Sequence, residues 1–199
     1  MSEATFPEPT REIMRQILFI HSAGPQGDAE GSGRFLSRLR AELGSSYEIT
    51  APDMPAPEAP EAASWLDAIA AQIESMSSPF TLLGHSLGGS IILQHLARNG
   101  APTELDGVVT VAAPYWGAQG WDYSDFALPA DAGGRLADVP ITMLFGRQDD
   151  VVSTDHLGLY RAAIPTMTGR LIDGDHEFAE GDITAVADAL LNLTDRGRK

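Results

Sequence analysis

The chain has 199 residues, 28 acidic against 13 basic, giving a formal net charge of −15, and 43% of it is apolar. This suits one domain with a sizeable core, and the charge repels polyphosphate backbones and anionic membrane surfaces at long range, so neither nucleic acid nor a membrane is an expected partner. With no cysteine, disulfides, thiolate metal sites and a cysteine nucleophile are excluded.

Residues 1–14 form an acidic, proline-containing polar leader with neither a positive n-region nor a long apolar h-region. No run approaches the roughly eighteen apolar residues of a membrane span, so a cytoplasmic location is the simplest expectation. A domain is expected over 15–195. It opens with a buried strand at 15–21, which ends in the turn residues Ser22, Ala23 and Gly24. Phe35, Leu36, Leu39 and Leu43 then recur at helical spacing up to Gly44, and 47–50 is a short second strand. Pro52, Pro55, Pro57 and Pro60 make a loop, after which Trp65, Ile69, Ile73 and Met76 line one helix face, with Ser64 and Asp67 resembling a capping box.

Further apolar runs at 80–83, 107–112, 141–145 and 169–172 read as strands, with helical patterns at 86–98, 154–163 and 183–193 between and after them. Strands alternating with helices imply right-handed crossovers and a mostly parallel sheet covered on both faces. Ligands of such sheets bind beyond the carboxyl ends of the strands, so the chemistry is expected in the loops that follow each run.

One of those loops is Gly84-His85-Ser86-Leu87-Gly88, set between a strand and a helix. In so sharp a turn the serine is forced into a strained conformation with its hydroxyl projecting from the sheet edge, and the flanking glycines remove Cβ atoms that would collide. Ser86 is the candidate nucleophile. A serine needs a general base, and the base needs an orienting acid. His176 follows the last strand and emerges on the same edge as Ser86. The acid is expected after the preceding strand, where Asp149 is preferred and Asp150 is the alternative. Asp149 could instead cap the helix that follows. Of the other histidines, His156 is read as facing solvent, His95 as a packed or exposed helix residue, and His85 as pointing away from the serine while shaping the pocket.

A tetrahedral intermediate carries a developing oxyanion, for which two preorganised N–H donors are needed. The Leu87 N–H at the helix start is one. The other is expected from the first loop, at Ala23, with Ser22 second. Between 114 and 140 lies a long insertion rich in aromatics, including Tyr115, Trp116, Trp121, Tyr123 and Phe126. These either wall a pocket over Ser86 or fold down to cover core. His85, Ser22, Tyr115, Trp116 and Trp121 are the expected substrate-binding set.

The order of these signals resembles the α/β-hydrolase superfamily, carried by His21-Ser22-Ala23, Gly84 to Gly88, Gly146-Arg147-Gln148-Asp149 and His176. The match looks closest to the small, lidless branch that includes the retinoblastoma-binding serine hydrolases, which is similar also at Ala113-Pro114-Tyr115-Trp116-Gly117. Ser22 stands where that branch usually has glycine. The resemblance implies a three-layer α/β/α sandwich with about six parallel strands, the minimal form of the fold. It further implies a serine hydrolase that cleaves a small carboxylic ester through an acyl-enzyme, with Ser86 attacking, His176 moving the proton and Asp149 holding the imidazole. No cofactor and no metal are expected in that chemistry. Thioester, lactone, amide and carbon–carbon cleavage, acyl transfer, and a non-catalytic scaffold that keeps the fold are the alternatives; nothing in the sequence bears on oligomeric state.

Overall fold

A computed structural model describes residues 15–76 and 79–194, so the leader expected at 1–14 lies outside the described residues. The elements in chain order are β1 (Arg15–Ile20), α1 (Ser32–Leu43), β2 (Tyr47–Thr50), α2 (Ala62–Ser75), β3 (Phe80–His85), α3 (Leu87–Asn99), β4 (Leu105–Val111), α4 (Ala132–Arg135), β5 (Ile141–Gly146), α5 (His156–Ala163), β6 (Thr168–Ile172) and α6 (Ile183–Thr194). The six strands form one sheet in the order β2-β1-β3-β4-β5-β6, and every neighbouring pair is parallel.

Side chains alternate across a strand, so each strand feeds both faces of the sheet. Ile17 and Phe19 of β1 join Phe35 and Leu39 of α1 and Val186 and Leu190 of α6. Leu18 and Ile20 face the other way, onto Trp65 and Ile69 of α2 and Ile91 and Leu96 of α3. All twelve are fully buried, and each such burial is worth about 1.5–3 kcal/mol relative to exposure. This is a three-layer α/β/α sandwich with the α/β-hydrolase architecture. Among the described residues no helix is long and apolar enough to cross a membrane.

Two local readings are corrected. The helix α2 starts at Ala62 behind Glu61, so Ser64 is its third residue and not its cap; the Ser64 hydroxyl donates back to the Glu61 carbonyl at 3.0 Å. The N-cap is Glu61, whose backbone is extended at φ −111° and ψ 128°. His156 is buried, because it shares the inward face of α5 with Leu157 and Tyr160.

The chain runs from β1 outward to β2 and then crosses back to β3 on the other side of β1. Loops leaving β1 and β3 therefore diverge at a topological switch point, which opens a crevice at their carboxyl ends. There α3 docks very closely: a Cβ on Gly88 would overlap the carbonyl oxygens of Ile20 and His21, and one on Gly84 would strike the backbone of Gly88 and Gly89. The variant Gly88→Ala, which forces that Cβ into the two carbonyls, is expected to lower unfolding free energy by about 1–3 kcal/mol in urea titrations. Gly134→Ala on α4, where a Cβ meets open space, is expected to stay within about 0.5 kcal/mol of the parent.

Candidate active site

At the β3–α3 junction Ser86 has φ 51° and ψ −120°, a region that costs a non-glycine residue about 1–3 kcal/mol and persists only when its surroundings enforce it. They do: the Ser86 N–H donates to the Val111 carbonyl at 2.8 Å, while its own carbonyl accepts from Gly89 at 3.0 Å. The side chain is thereby aimed out of the sheet toward His176. Ser86 Oγ lies 3.0 Å from His176 Nε2, and His176 Nδ1 lies 2.9 Å and 3.1 Å from the two carboxylate oxygens of Asp149.

The Asp149 side chain has no exposed surface. Burial pushes its pKa up, but the His176 hydrogen bond and the N–H groups of Val152 and Val151, donating at 2.8 and 2.9 Å, outweigh burial and hold it below its ordinary value. Asp149 is thus an ionised acceptor, which fixes the proton of His176 on Nδ1 and leaves Nε2 as the acceptor for the Ser86 hydroxyl. Asp150 is exposed and takes no part. A serine whose proton can pass to a neutral, oriented imidazole is equipped for nucleophilic attack.

A cavity of about 630 Å³ opens above this chain of hydrogen bonds, lined in part by Ala23, Ser86, Leu87, Trp116, Trp121 and His176. The Leu87 N–H opens α3 and has no intrahelical acceptor available. On the facing loop the Ser22 N–H is committed to Ser32 Oγ at 3.3 Å, which leaves Ala23 as the cavity-lining residue of that loop. Three other expected pocket residues stay off this lining. Ser22 is buried behind the loop, the Tyr115 ring packs edge-on against Tyr160 at 5.1 Å, and His85 lies beneath His176 with ring centroids 5.3 Å apart.

The profile of the alpha/beta hydrolase family matches residues 17–195. The chain belongs to the alpha/beta hydrolase family. No curated protein matches it. Among solved structures it is similar to the ydeN gene product of B. subtilis at 18% identity and TM-score 0.72, over 91% of this chain and 99% of that one. It is also similar to a carboxylesterase of Nitrososphaera gargenis (14%, TM-score 0.68, 92% and 91% covered) and to 2-hydroxy-6-oxo-6-phenylhexa-2,4-dienoate hydrolase of Rhodococcus sp. strain RHA1 (15%, TM-score 0.69, 90% of each). Identities this low support the fold alone.

In this alpha/beta hydrolase the loop bearing His176 is tethered from four sides, none of which the sequence announced. The His85 ring is buried and donates from Nε2 to the His176 carbonyl at 2.7 Å. Gln148, next to Asp149, makes a reciprocal pair with Gly174: its N–H donates to the Gly174 carbonyl at 3.0 Å, and its Oε1 accepts the Gly174 N–H at 2.7 Å. Arg38 of α1 donates to the Phe178 carbonyl and, at 2.8 Å, to that of Gly181. Phe178 itself is buried against Phe35.

The aromatic wall is pinned as firmly. Gln94 of α3 donates from Nε2 to the carbonyls of Asp125 and Ala127, both at 2.7 Å, and the hydroxyls of Ser90 and Tyr160 donate to the Pro114 carbonyl at 2.7 and 2.8 Å. His156 accepts the Tyr115 N–H on Nδ1 at 2.8 Å and meets the Trp121 ring edge-on. His95 is buried on α3, with Nδ1 3.1 Å from the Asn99 amide.

Two outcomes follow from the tethers. Gln148→Ala, with the fold intact by circular dichroism, is expected to lower kcat by about 10- to 100-fold while KM changes little, because the acid and base loops lose their mutual alignment. Burial, then the neighbouring His176, lowers the His85 pKa from its ordinary 6.5 to about 3. The unfolded chain therefore binds a proton at this residue that the folded protein refuses, so stability falls as pH drops from 6.5 toward 3. Urea titrations should show His85→Gln losing about 2 kcal/mol less than the parent between pH 7 and pH 5.

Proposed function

We propose that this protein is a serine hydrolase that cleaves a small carboxylic ester through an acyl-enzyme, with Ser86, His176 and Asp149 as its triad. The observation that carries the reading is the unbroken line from Ser86 Oγ through His176 to the buried Asp149 carboxylate, with gaps of 3.0 and 2.9 Å, at the floor of an open cavity. Ser86 Oγ attacks the ester carbonyl while His176 Nε2 takes its proton, and the imidazolium formed is stabilised by Asp149. The carbonyl oxygen becomes an oxyanion between the N–H groups of Leu87 and Ala23, an interaction worth about 3 kcal/mol of barrier per donor. His176 then hands the proton to the departing alcohol. Water enters by the reverse sequence and releases the acid.

All the groups this scheme requires are supplied by the chain, so it draws on no metal or cofactor. Trp116 and Trp121 wall the substrate cavity, whereas Ser22, His85 and Tyr115 act behind it by holding the first loop, the His176 loop and the aromatic wall. Between β4 and β5 the chain inserts the 114–140 segment with one four-residue α-helix, which supports placement in the small, lidless branch suggested by the sequence.

The test is hydrolysis of a short p-nitrophenyl ester together with labelling by a fluorophosphonate probe. The parent protein is expected to turn over the ester and to take up one probe at Ser86. Ser86→Ala is expected to lose at least about 10³-fold in kcat and all labelling. A parent that neither hydrolyses esters nor reacts with the probe would be a scaffold on a hydrolase fold, and acyl transfer to an added alcohol outpacing hydrolysis would make it an acyltransferase.

A further inference from the structure

The cavity above Ser86 is asymmetric in chemistry. One side is aromatic: the Trp116 ring lies 5.1 Å from Trp121, 5.9 Å from Tyr123 and 5.2 Å from Phe126, and all four rings face the cavity. At its mouth stand Tyr123 and Val151, 70% and 53% exposed, the most exposed large apolar side chains among the described residues. The 56–60 loop also lines the cavity and contributes Glu58, which besides His176 and the exposed Tyr123 is its one ionisable lining residue.

The backbone beside Glu58 is anchored, and Glu58 itself is exposed. The preceding carbonyl, of Pro57, accepts the Gly24 N–H at 2.8 Å, and Gly24 adjoins Ala23 on the cavity floor. The neighbouring Met54 N–H is held by Gln26 Oε1 at 2.7 Å. Beyond the wall made by Pro60, Tyr123 and Phe126 lies a second cavity of about 650 Å³, bordered by Glu61, Asp122, Asp125 and Arg98. Three carboxylates there face one guanidinium, and the chain as a whole carries −15.

Resting on the ester-hydrolase reading above, we propose that the substrate is an ester whose flanking group is apolar and uncharged, and that Glu58 excludes carboxylate-bearing esters at the mouth. An apolar group gains by leaving water for the indole and phenyl faces. A carboxylate loses twice, once by shedding water against those rings and once by approaching Glu58 in a region bounded by low-dielectric walls. The same field acts on the product. Hydrolysis adds water across the ester bond and yields an alcohol and an acid that ionises to a carboxylate, which Glu58 and the acidic surround push outward.

The experiment compares p-nitrophenyl hexanoate with the mono-p-nitrophenyl ester of adipic acid, two six-carbon acyl groups that differ by one terminal carboxylate, on the full chain. In about 0.01 M salt, where the Debye length is about 30 Å, kcat/KM for the hexanoate is expected to exceed that for the adipate by at least about tenfold. The ratio should narrow by about threefold in 1 M salt and by a similar factor in Glu58→Gln, through a gain on the adipate. Equal kcat/KM for the two esters at low salt overturns the proposal, as does a ratio unchanged in Glu58→Gln. If Ser86 takes up the fluorophosphonate but neither ester, or only the adipate, is hydrolysed, the substrate class falls while the hydrolase reading stands. If neither ester is hydrolysed and Ser86 stays unlabelled, the hydrolase reading falls and this inference with it.

Discussion

Backbone-to-backbone contact between α3 and the strands beneath it is the constraint on which the rest of the molecule depends. Gly84 and Gly88 let α3 approach until no side-chain atom fits between it and the ends of β1 and β3, and that approach turns the chain through the unfavourable φ of 51° at Ser86. The strain is local, and its restraint is distributed over the fully buried Leu82, Leu83, Ile91 and Ile92 on either side of the bend. A serine at the same point of a looser turn would be one more surface hydroxyl, without a fixed direction toward His176.

Direction also has to be given to the partner of that serine, and here α1 has two duties. Its first residue, Ser32, holds His21 Nδ1 at 2.8 Å and accepts the Ser22 N–H, which sets the loop that presents Ala23. Two turns later Arg38 grips the carbonyls of Phe178 and Gly181 in the loop after His176. One helix thus positions both the loop that presents Ala23 to the cavity and the loop bearing the imidazole. Gln148 and His85 complete the frame from the sides of β5 and β3.

The sheet, the order of its helices and the three polar residues of the hydrogen-bonded line could be read from the sequence because each leaves a local mark: an apolar run, a helical period, or a polar residue just past a strand. Choosing Asp149 over Asp150 was open in the sequence, since adjacent carboxylates differ only in which way the loop turns them. The roles of Arg38 and Gln148 left no mark at all, as their partners lie 140 and 26 residues away along the chain. His156 could have been placed inside from its spacing to Tyr160, which puts the two on one face of α5. Glu58 leaves no mark of its own in a proline-rich loop, which the Gly24–Pro57 and Met54–Gln26 hydrogen bonds fasten beside the cavity.

The chain has three tryptophans, and their distribution gives the protein an optical property of its own. Trp65 is fully buried under α2 with Nε1 donating to the Pro55 carbonyl at 2.7 Å, whereas Trp116 and Trp121 both border the cavity. Intrinsic fluorescence therefore mixes one emitter shielded from quenchers with two that respond directly to whatever enters, so occupancy can be followed in the unlabelled protein without any chromogenic leaving group.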